Sequence, residues 1–130
     1  EVVAGQFHAL HESGVDMETF VDRVFKTTAK GIKDRDYKAS CPIAAIAAEM
    51  GNSNPNLKAA VVACFAAWEK EIERAALARG FSAKNAADFA SAMLASIEGA
   101  MVVSKAQGSI APHVNASRAM KALAAAMVLN

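Results

Sequence analysis

Two histidines are the residues whose spacing comes closest to a metal site. His8 and His11 stand three positions apart, so a helix would place both imidazoles on one face, within reach of one metal ion. Zinc sites use at least three protein ligands, and no third ligand is apparent beside this pair. The pair is therefore interpreted as a polar helix end, and neither a metal nor another cofactor is expected.

Two cysteines could form a redox pair. Cys41 directly precedes a predicted helix beginning at Pro42, and a helix N-terminus would lower the pKa of its thiol and favour the thiolate. Cys64 falls in an apolar stripe, where thiols usually pack without reacting. Two cysteines in 130 residues make no disulfide framework, so packing thiols in a reducing, cytoplasmic setting are the favoured interpretation.

Patterns typical of enzymes and of nucleic-acid binding are absent from the sequence. There are no Glu-x-x-His repeats, no glycine-rich phosphate loop and no G-x-S-x-G motif. The net charge is +1, and the densest basic stretch, residues 23–38, is interleaved with aspartates, which is typical of a solvated face. No run approaches the roughly 18 apolar residues of a membrane span. We therefore expect a soluble, non-enzymatic domain.

The elements that must position any site are helices, because apolar residues recur at helical spacing along the chain. Asp16, Asn54 and Ser82 are suitable N-caps, Pro42 and Pro112 suit first turns, and Gly80 and Gly108 can end helices. Hydrophobic residues make up 54% of the chain, and alanine, the best helix former, dominates them. The sequence thus predicts an all-α bundle of five helices plus an N-terminal helix fragment over residues 1–13.

The last two helices carry more apolar surface than one chain can cover. The helix over residues 82–107 is apolar almost all round, with a bulky side and a small-residue side, and the last helix is similarly apolar. A two-fold homodimer would bury both helices. The alternative is a monomer with tolerable alanine-rich faces. The residues assigned to the dimer interface are Ala92, Ser96, Gly99, Val103, Met120, Ala124 and Met127.

Large apolar and aromatic side chains from four separate helices could enclose a cavity for an apolar ligand. The same side chains could equally fill an ordinary core, and their spacing alone favours the filled core. An enclosed cavity beside Trp68 and Phe65 would separate the two interpretations. The residues assigned to ligand binding are Phe25, Met50, Phe65, Trp68, Ile97 and Met101.

The order of short motifs resembles the C-terminal domain of TetR-family regulators, in particular the branch of the LmrA and YxaF repressors. A short helix opens with Cys41-Pro42-Ile43-Ala44-Ala45 and ends near Glu49. The later motifs are Phe65-Ala66-Ala67-Trp68, Gly80-Phe81 and Ile97-Glu98-Gly99-Ala100-Met101. The resemblance implies an Ω-shaped homodimer paired through the last two helices. It also implies a small-molecule pocket between the middle helices, whose occupation releases an operator. For Glu98, a solvated edge and a ligand contact both stay open.

The resemblance also divides the chain. Residues 1–13 would be the end of a connecting helix, and residues 14–130 the effector-binding and dimerisation domain. The family's N-terminal helix-turn-helix domain, about fifty residues in such modules, has no counterpart in the sequence. DNA would therefore be a partner only through that absent domain. A homodimer partner and a small-molecule effector are the other expectations, and the alternative function is a structural bundle that dimerises without a ligand.

Overall fold

Six α-helices make up the computed structural model, which describes residues 2–39, 41–50 and 54–128. No strand occurs among these residues, so the all-α prediction is confirmed. The expected helix fragment is the first of the six. The helices are α1 (Val2–Glu12), α2 (Met17–Asp34), α3 (Pro42–Met50), α4 (Pro55–Ala78), α5 (Ala83–Gln107) and α6 (Ala111–Val128).

The three predicted N-caps begin their helices. The amide of Thr19 donates to Asp16 Oδ1 at 2.7 Å, that of Leu57 to Asn54 Oδ1 at 3.0 Å, and that of Asn85 to Ser82 Oγ at 3.1 Å. Each bond satisfies an amide that has no partner within its helix. The amide of Thr19 also holds the pKa of Asp16 below its usual value. At the far end of α5, Gly108 has φ = 64°, a left-handed conformation that a residue without Cβ adopts at little cost.

Helix α5 lies at the centre of the bundle and packs against α2, α4 and α6. Its Phe89 and Met93 are fully buried and join Phe20 of α2 and Ile72 of α4 in one core. By length and composition α5 could also cross a membrane, the only such helix in the described ranges. A helix of a soluble bundle can satisfy the same two criteria, and one side of α5, with Phe89 and Met93, is buried in the core.

Helix α1 is held against α4 by polar contacts centred on Arg79, the C-cap of α4. Its guanidinium donates to the Val15 carbonyl at 2.6 Å, to His11 Nδ1 at 2.8 Å and to the His11 carbonyl at 3.1 Å. His8 Nδ1 lies 3.2 Å from a carboxylate oxygen of Glu71, which is 9% exposed. Both histidines therefore attach α1 to α4 through protein contacts. Among the described residues, no three metal-ligating side chains cluster.

Two residues assigned above to the dimer interface, Met120 and Ala124, are instead buried inside one chain, at 5% and 2% exposure. Helical periodicity puts them on the side of α6 that also carries His113 and Ser117, and this side covers the core. Ser96 and Ala92 are half-buried on α5, and Ser96 Oγ lies 3.6 Å from Met120 Sδ within the same chain. Met127 is likewise half-buried.

Gly99 and Val103 are exposed, as an interface between copies requires. They belong to a wider apolar surface on the outside of α5 and α6, which we term the outer face. Its residues share high exposure and lie on one side of each helix. The outer face comprises Ala95, Gly99, Val102, Val103, Ala119, Ala122 and Leu123.

Candidate ligand-binding site

A hollow of about 580 Å³ lies between the first five helices, which we term the central hollow. Its volume falls within the roughly 300–1,000 Å³ of small-molecule sites. Helix α1 contributes one apolar row to its wall, formed by Val3, Phe7 and Leu10. The other apolar lining residues are Val24 and Ile32 from α2, Pro42 and Ile43 from α3, Trp68 from α4, and Leu94, Ile97 and Met101 from α5.

Trp68, Ile97 and Met101, three of the residues assigned to ligand binding, line the central hollow together. Phe65 packs edge-to-face on Trp68 at a centroid distance of 5.4 Å but is not part of the wall, so it supports the indole from behind. Met50 ends α3, and its side chain lies outside the described residues. The hollow therefore brings together half of the assigned set.

Phe25 is separated from the others because it points to the opposite side of α2. It lines a second hollow of about 490 Å³ between α2 and α6, and five of the twelve lining residues are lysine or arginine. There Phe25 contacts His113, with ring centroids 6.5 Å apart. Burial lowers the pKa of His113, and its Nδ1 lies 2.8 Å from Ser104 Oγ. Phe25 is thus a core residue beside a polar groove and lies away from Trp68.

The wall of the central hollow contains one carboxyl group, that of Glu98 on α5. Its Oε1 atom is buried and has no hydrogen-bond partner among the described residues. Burial raises the pKa of this carboxyl, and a hydrogen bond with the Cys41 thiol offsets part of the rise. Glu98 therefore faces the hollow as a poorly solvated acid. Of the two roles left open by the sequence, this placement favours a ligand contact.

Cys41 and Cys64 are free thiols that both line the central hollow. The expectation that a helix N-terminus lowers the pKa of Cys41 is wrong in sign. The amides of Ile43 and Ala44 do act in that direction, but burial and the nearby Glu98 carboxyl raise the pKa by more. Cys41 is therefore held in the thiol form, which agrees with a packing role.

Polar and charged side chains from α1 and α2 surround the opening of the hollow. Gln6, Arg23, Thr27 and Arg35 line it and are exposed. Arg23 and Thr27 follow one face of α2 at i, i+4 spacing, Arg35 is the C-cap of that helix, and Gln6 comes from α1. Neither arginine is among the groups that shift the pKa of Glu98. The site therefore has an apolar interior containing one acid and a solvated, positively charged rim.

Sequence reasoning missed several wall residues, among them Arg23, Arg35 and the apolar row of α1. The i, i+4 spacing of Arg23 and Thr27 was readable, but it is also the spacing of an ordinary solvated face. The helical spacing of Val3, Phe7 and Leu10 indicates only that they share one side of a helix. Periodicity identifies a buried side but not the neighbouring helix that it faces.

Comparison with known proteins assigns this architecture to a family. Residues 18–119, more than half of the chain, match the family described as "Transcriptional regulator LmrA/YxaF-like, C-terminal domain". No curated protein and no solved structure matches the chain. The match covers α2 from its second residue, all of α3 to α5 and the first half of α6, and thus most of the wall of the central hollow. The chain therefore belongs to the LmrA/YxaF-like C-terminal domains of TetR-family transcriptional regulators.

Proposed function

We propose that this regulatory domain binds a small, mainly apolar effector in the central hollow, and that binding changes operator affinity in a DNA-binding domain joined to its N-terminal side. The observation that supports this most directly is the hollow itself. It has the volume of a small-molecule site, an apolar interior and a few polar groups. A structural bundle without a ligand needs no such space, because protein cores are otherwise close-packed.

The route from ligand to DNA runs through α1, which we take as the end of the connecting helix. Val3, Phe7 and Leu10 of this helix form part of the hollow's wall, so a ligand would contact α1 directly. A ligand that binds better with α1 in one position than in another shifts the equilibrium between these positions. The same difference in affinity sets the coupling between effector and operator.

We further propose that the domain forms a two-fold homodimer through the outer face of α5 and α6. Val102 and Val103 are 55% and 42% exposed, and Leu123 is 37% exposed. Gly99 and the neighbouring alanines would let a second pair of helices approach closely. The resulting four-helix interface would remove this contiguous apolar surface from water. A cytoplasmic location is part of the same proposal.

Native mass spectrometry of the purified domain tests the ligand proposal, together with Trp68 fluorescence during titration with apolar small molecules. Gly31 lies in the wall of the hollow, and a Cβ there would meet only Arg35 Nη1 at 3.7 Å. Gly31→Phe should therefore fill part of the hollow without breaking α2. Gly5→Phe is the matched control, because Gly5 is exposed, helical and outside the wall.

We expect the wild type and Gly5→Phe to retain or bind a small molecule, and Gly31→Phe to bind at least about tenfold more weakly. Equal binding by all three proteins would place the ligand elsewhere. If no molecule co-purifies and no apolar compound changes the Trp68 emission, the alternative function as a ligand-free interaction bundle is favoured instead.

A further inference from the structure

Two side chains that line the central hollow each carry a buried polar atom with no hydrogen-bond partner in the described part of the chain. These atoms are the indole Nε1 of Trp68 and Oε1 of Glu98. Trp68 as a whole is only 6% exposed. Folded proteins pair the large majority of such groups because burying an unpaired one is costly. Two unpaired atoms in one cavity wall therefore indicate a ligand that pairs with both.

The two atoms require opposite groups on that ligand. An indole N–H can only donate, and an ionised carboxylate can only accept. The Cys41 thiol beside Glu98 is a weak donor and leaves Oε1 unpaired. Neither atom is reached by water in the empty protein, so a ligand group that reaches either one gains a hydrogen bond that the empty protein lacks.

Charge decides what kind of donor is favoured at Glu98. Arg23 and Arg35 at the rim could instead attract an acidic ligand. Both are exposed, so water and salt already screen their charges and an ion pair there contributes little. Glu98 is half-buried and its Oε1 is buried in a mainly apolar wall, where a hydrogen bond from a cation is stronger than one in water. The attraction of a cationic ligand to Glu98 should therefore be stronger than the attraction of an acidic ligand to the two arginines at the rim.

We propose that the effector is a mainly apolar amine that also carries a neutral oxygen. Its amine donates to Glu98, and its oxygen accepts a hydrogen bond from the Trp68 indole. This inference rests on the proposed function, because it assumes that the central hollow is the effector site. It goes further by fixing two polar groups on the ligand and the side chain that each one contacts.

Isothermal titration calorimetry with matched ten-carbon probes tests the proposal. Decylamine offers the donor, 2-decanone offers the acceptor, and 1-amino-2-decanol offers both. We expect 1-amino-2-decanol to bind tightest, about ten- to a hundredfold more tightly than 2-decanone, since a hydrogen bond to a charged group is gained. Decanoate serves as the acidic comparator and should bind more weakly than decylamine.

Two substitutions separate the contacts. Glu98→Gln should weaken binding of both amines about tenfold and leave 2-decanone within about twofold. Trp68→Phe keeps an aromatic ring but removes the donor, so it should weaken 2-decanone and 1-amino-2-decanol and spare decylamine. Glu18→Gln is the control, because Glu18 is exposed on α2 and outside the hollow. It should change none of the affinities.

The indole N–H signal in a ¹H–¹⁵N spectrum gives a readout that needs no substitution, because Trp68 is the only tryptophan. It should move downfield with 2-decanone and 1-amino-2-decanol. Decanoate binding more tightly than decylamine would overturn the amine assignment, as would an equal effect of Glu98→Gln on every probe. In both cases the hollow would stay the binding site. Failure of all four probes and of uncharged apolar compounds would instead reject the proposed function.

Discussion

At the scale of one residue, Glu98 is a proposed ligand contact whose burial should lower the stability of the empty protein. Its carboxyl is buried with one oxygen unpaired, and burial raises its pKa. Below the pKa of the unfolded chain, the acid is protonated in both states and its ionisation costs nothing. Above that pKa the unfolded chain releases the proton more readily than the folded one. The free energy of unfolding therefore falls as the pH rises from the pKa of Glu98 in the unfolded chain to its raised pKa in the folded protein.

Glu98→Gln removes this dependence, because a glutamine is neutral at every pH. We expect the variant to be more stable than the wild type at pH 7.5, by about 1 kcal/mol, because burying an unpaired charged group costs more than burying an unpaired neutral one. The difference should shrink towards pH 4. Urea unfolding of both proteins across this range measures the difference. The stability that both proteins lose at low pH through their shared titratable groups cancels in this comparison. A stability difference that is independent of pH, or one that favours the wild type at pH 7.5, would contradict the argument.

At the scale of helices, Arg79 is the main polar link between α1 and the rest of the bundle. Its guanidinium donates to two carbonyls beyond α4 and to His11 Nδ1, and it lies 5.6 Å from the centre of the Phe20 ring. Because arginine only donates, His11 Nδ1 must accept, which places the imidazole proton on Nε2. One side chain thereby fixes the end of α1, the loop after it and the C-terminus of α4.

Arg79→Met should loosen this end of α1 while leaving the core intact. It keeps part of the apolar stem but removes every hydrogen bond of the guanidinium, so we expect a loss of about 2–4 kcal/mol. The substitution should accelerate hydrogen–deuterium exchange more at the end of α1 than in α5. Lys84→Met removes an exposed i, i+4 pair with Asp88 and should cost less than about 0.5 kcal/mol. Similar losses in both variants would show that Arg79 has no special role.

The helices were predictable to the extent that their ends depend on local chemistry. Asp16, Asn54 and Ser82 cap the helices where the sequence placed them, because an N-cap bond joins residues only three positions apart. The assignment of helix sides depended on tertiary packing and was less successful. Phe25 lies on the side of α2 that faces α6, and Met120 points into its own chain. Periodicity marks such residues as buried but does not name the neighbour that buries them.

The candidate site was only partly predictable, again because periodicity does not identify which helices will be neighbours. Trp68, Ile97 and Met101 meet in the hollow because the apolar sides of α4 and α5 pack against each other. The sequence contained no sign that a carboxyl group would face that space. The pKa of Cys41 was assigned from its helix N-terminus, whereas its burial beside Glu98 depends on how α3 and α5 are arranged. Electrostatics in a cavity follows from the fold, not from one element.

At the scale of the whole molecule, ligand site and outer face use different sides of α5. Leu94, Glu98 and Met101 face the central hollow, while Ala95, Gly99 and Val102 are exposed on the other side. One rigid helix thus separates the proposed effector from the proposed second subunit. A dimer formed through the outer face would leave the opening of the hollow, with Arg23 and Arg35, accessible to solvent.

Gly99→Leu tests the outer face without disturbing the fold of one chain. A Cβ at Gly99 would meet no atom within 4 Å, so the larger side chain has free space in the protomer. Replacing a helical glycine also favours the helix by about 0.5–1 kcal/mol. In the proposed dimer, the same side chain would hold the paired helices apart. We therefore expect this variant to sediment as a folded, helical monomer of 13.6 kDa and the wild type to sediment as a dimer.

Gly5→Leu provides the matched control, because Gly5 is also helical and exposed and a Cβ there likewise meets nothing within 4 Å. It lies on α1, away from the outer face, and should sediment as the wild type does. An unchanged dimer in Gly99→Leu would exclude close helix approach at this position, because a leucine cannot fit where helices pack through a glycine. Dissociation of both variants would point instead to a dimer that involves α1. That result would connect the second subunit directly to the helix through which the effector is proposed to act.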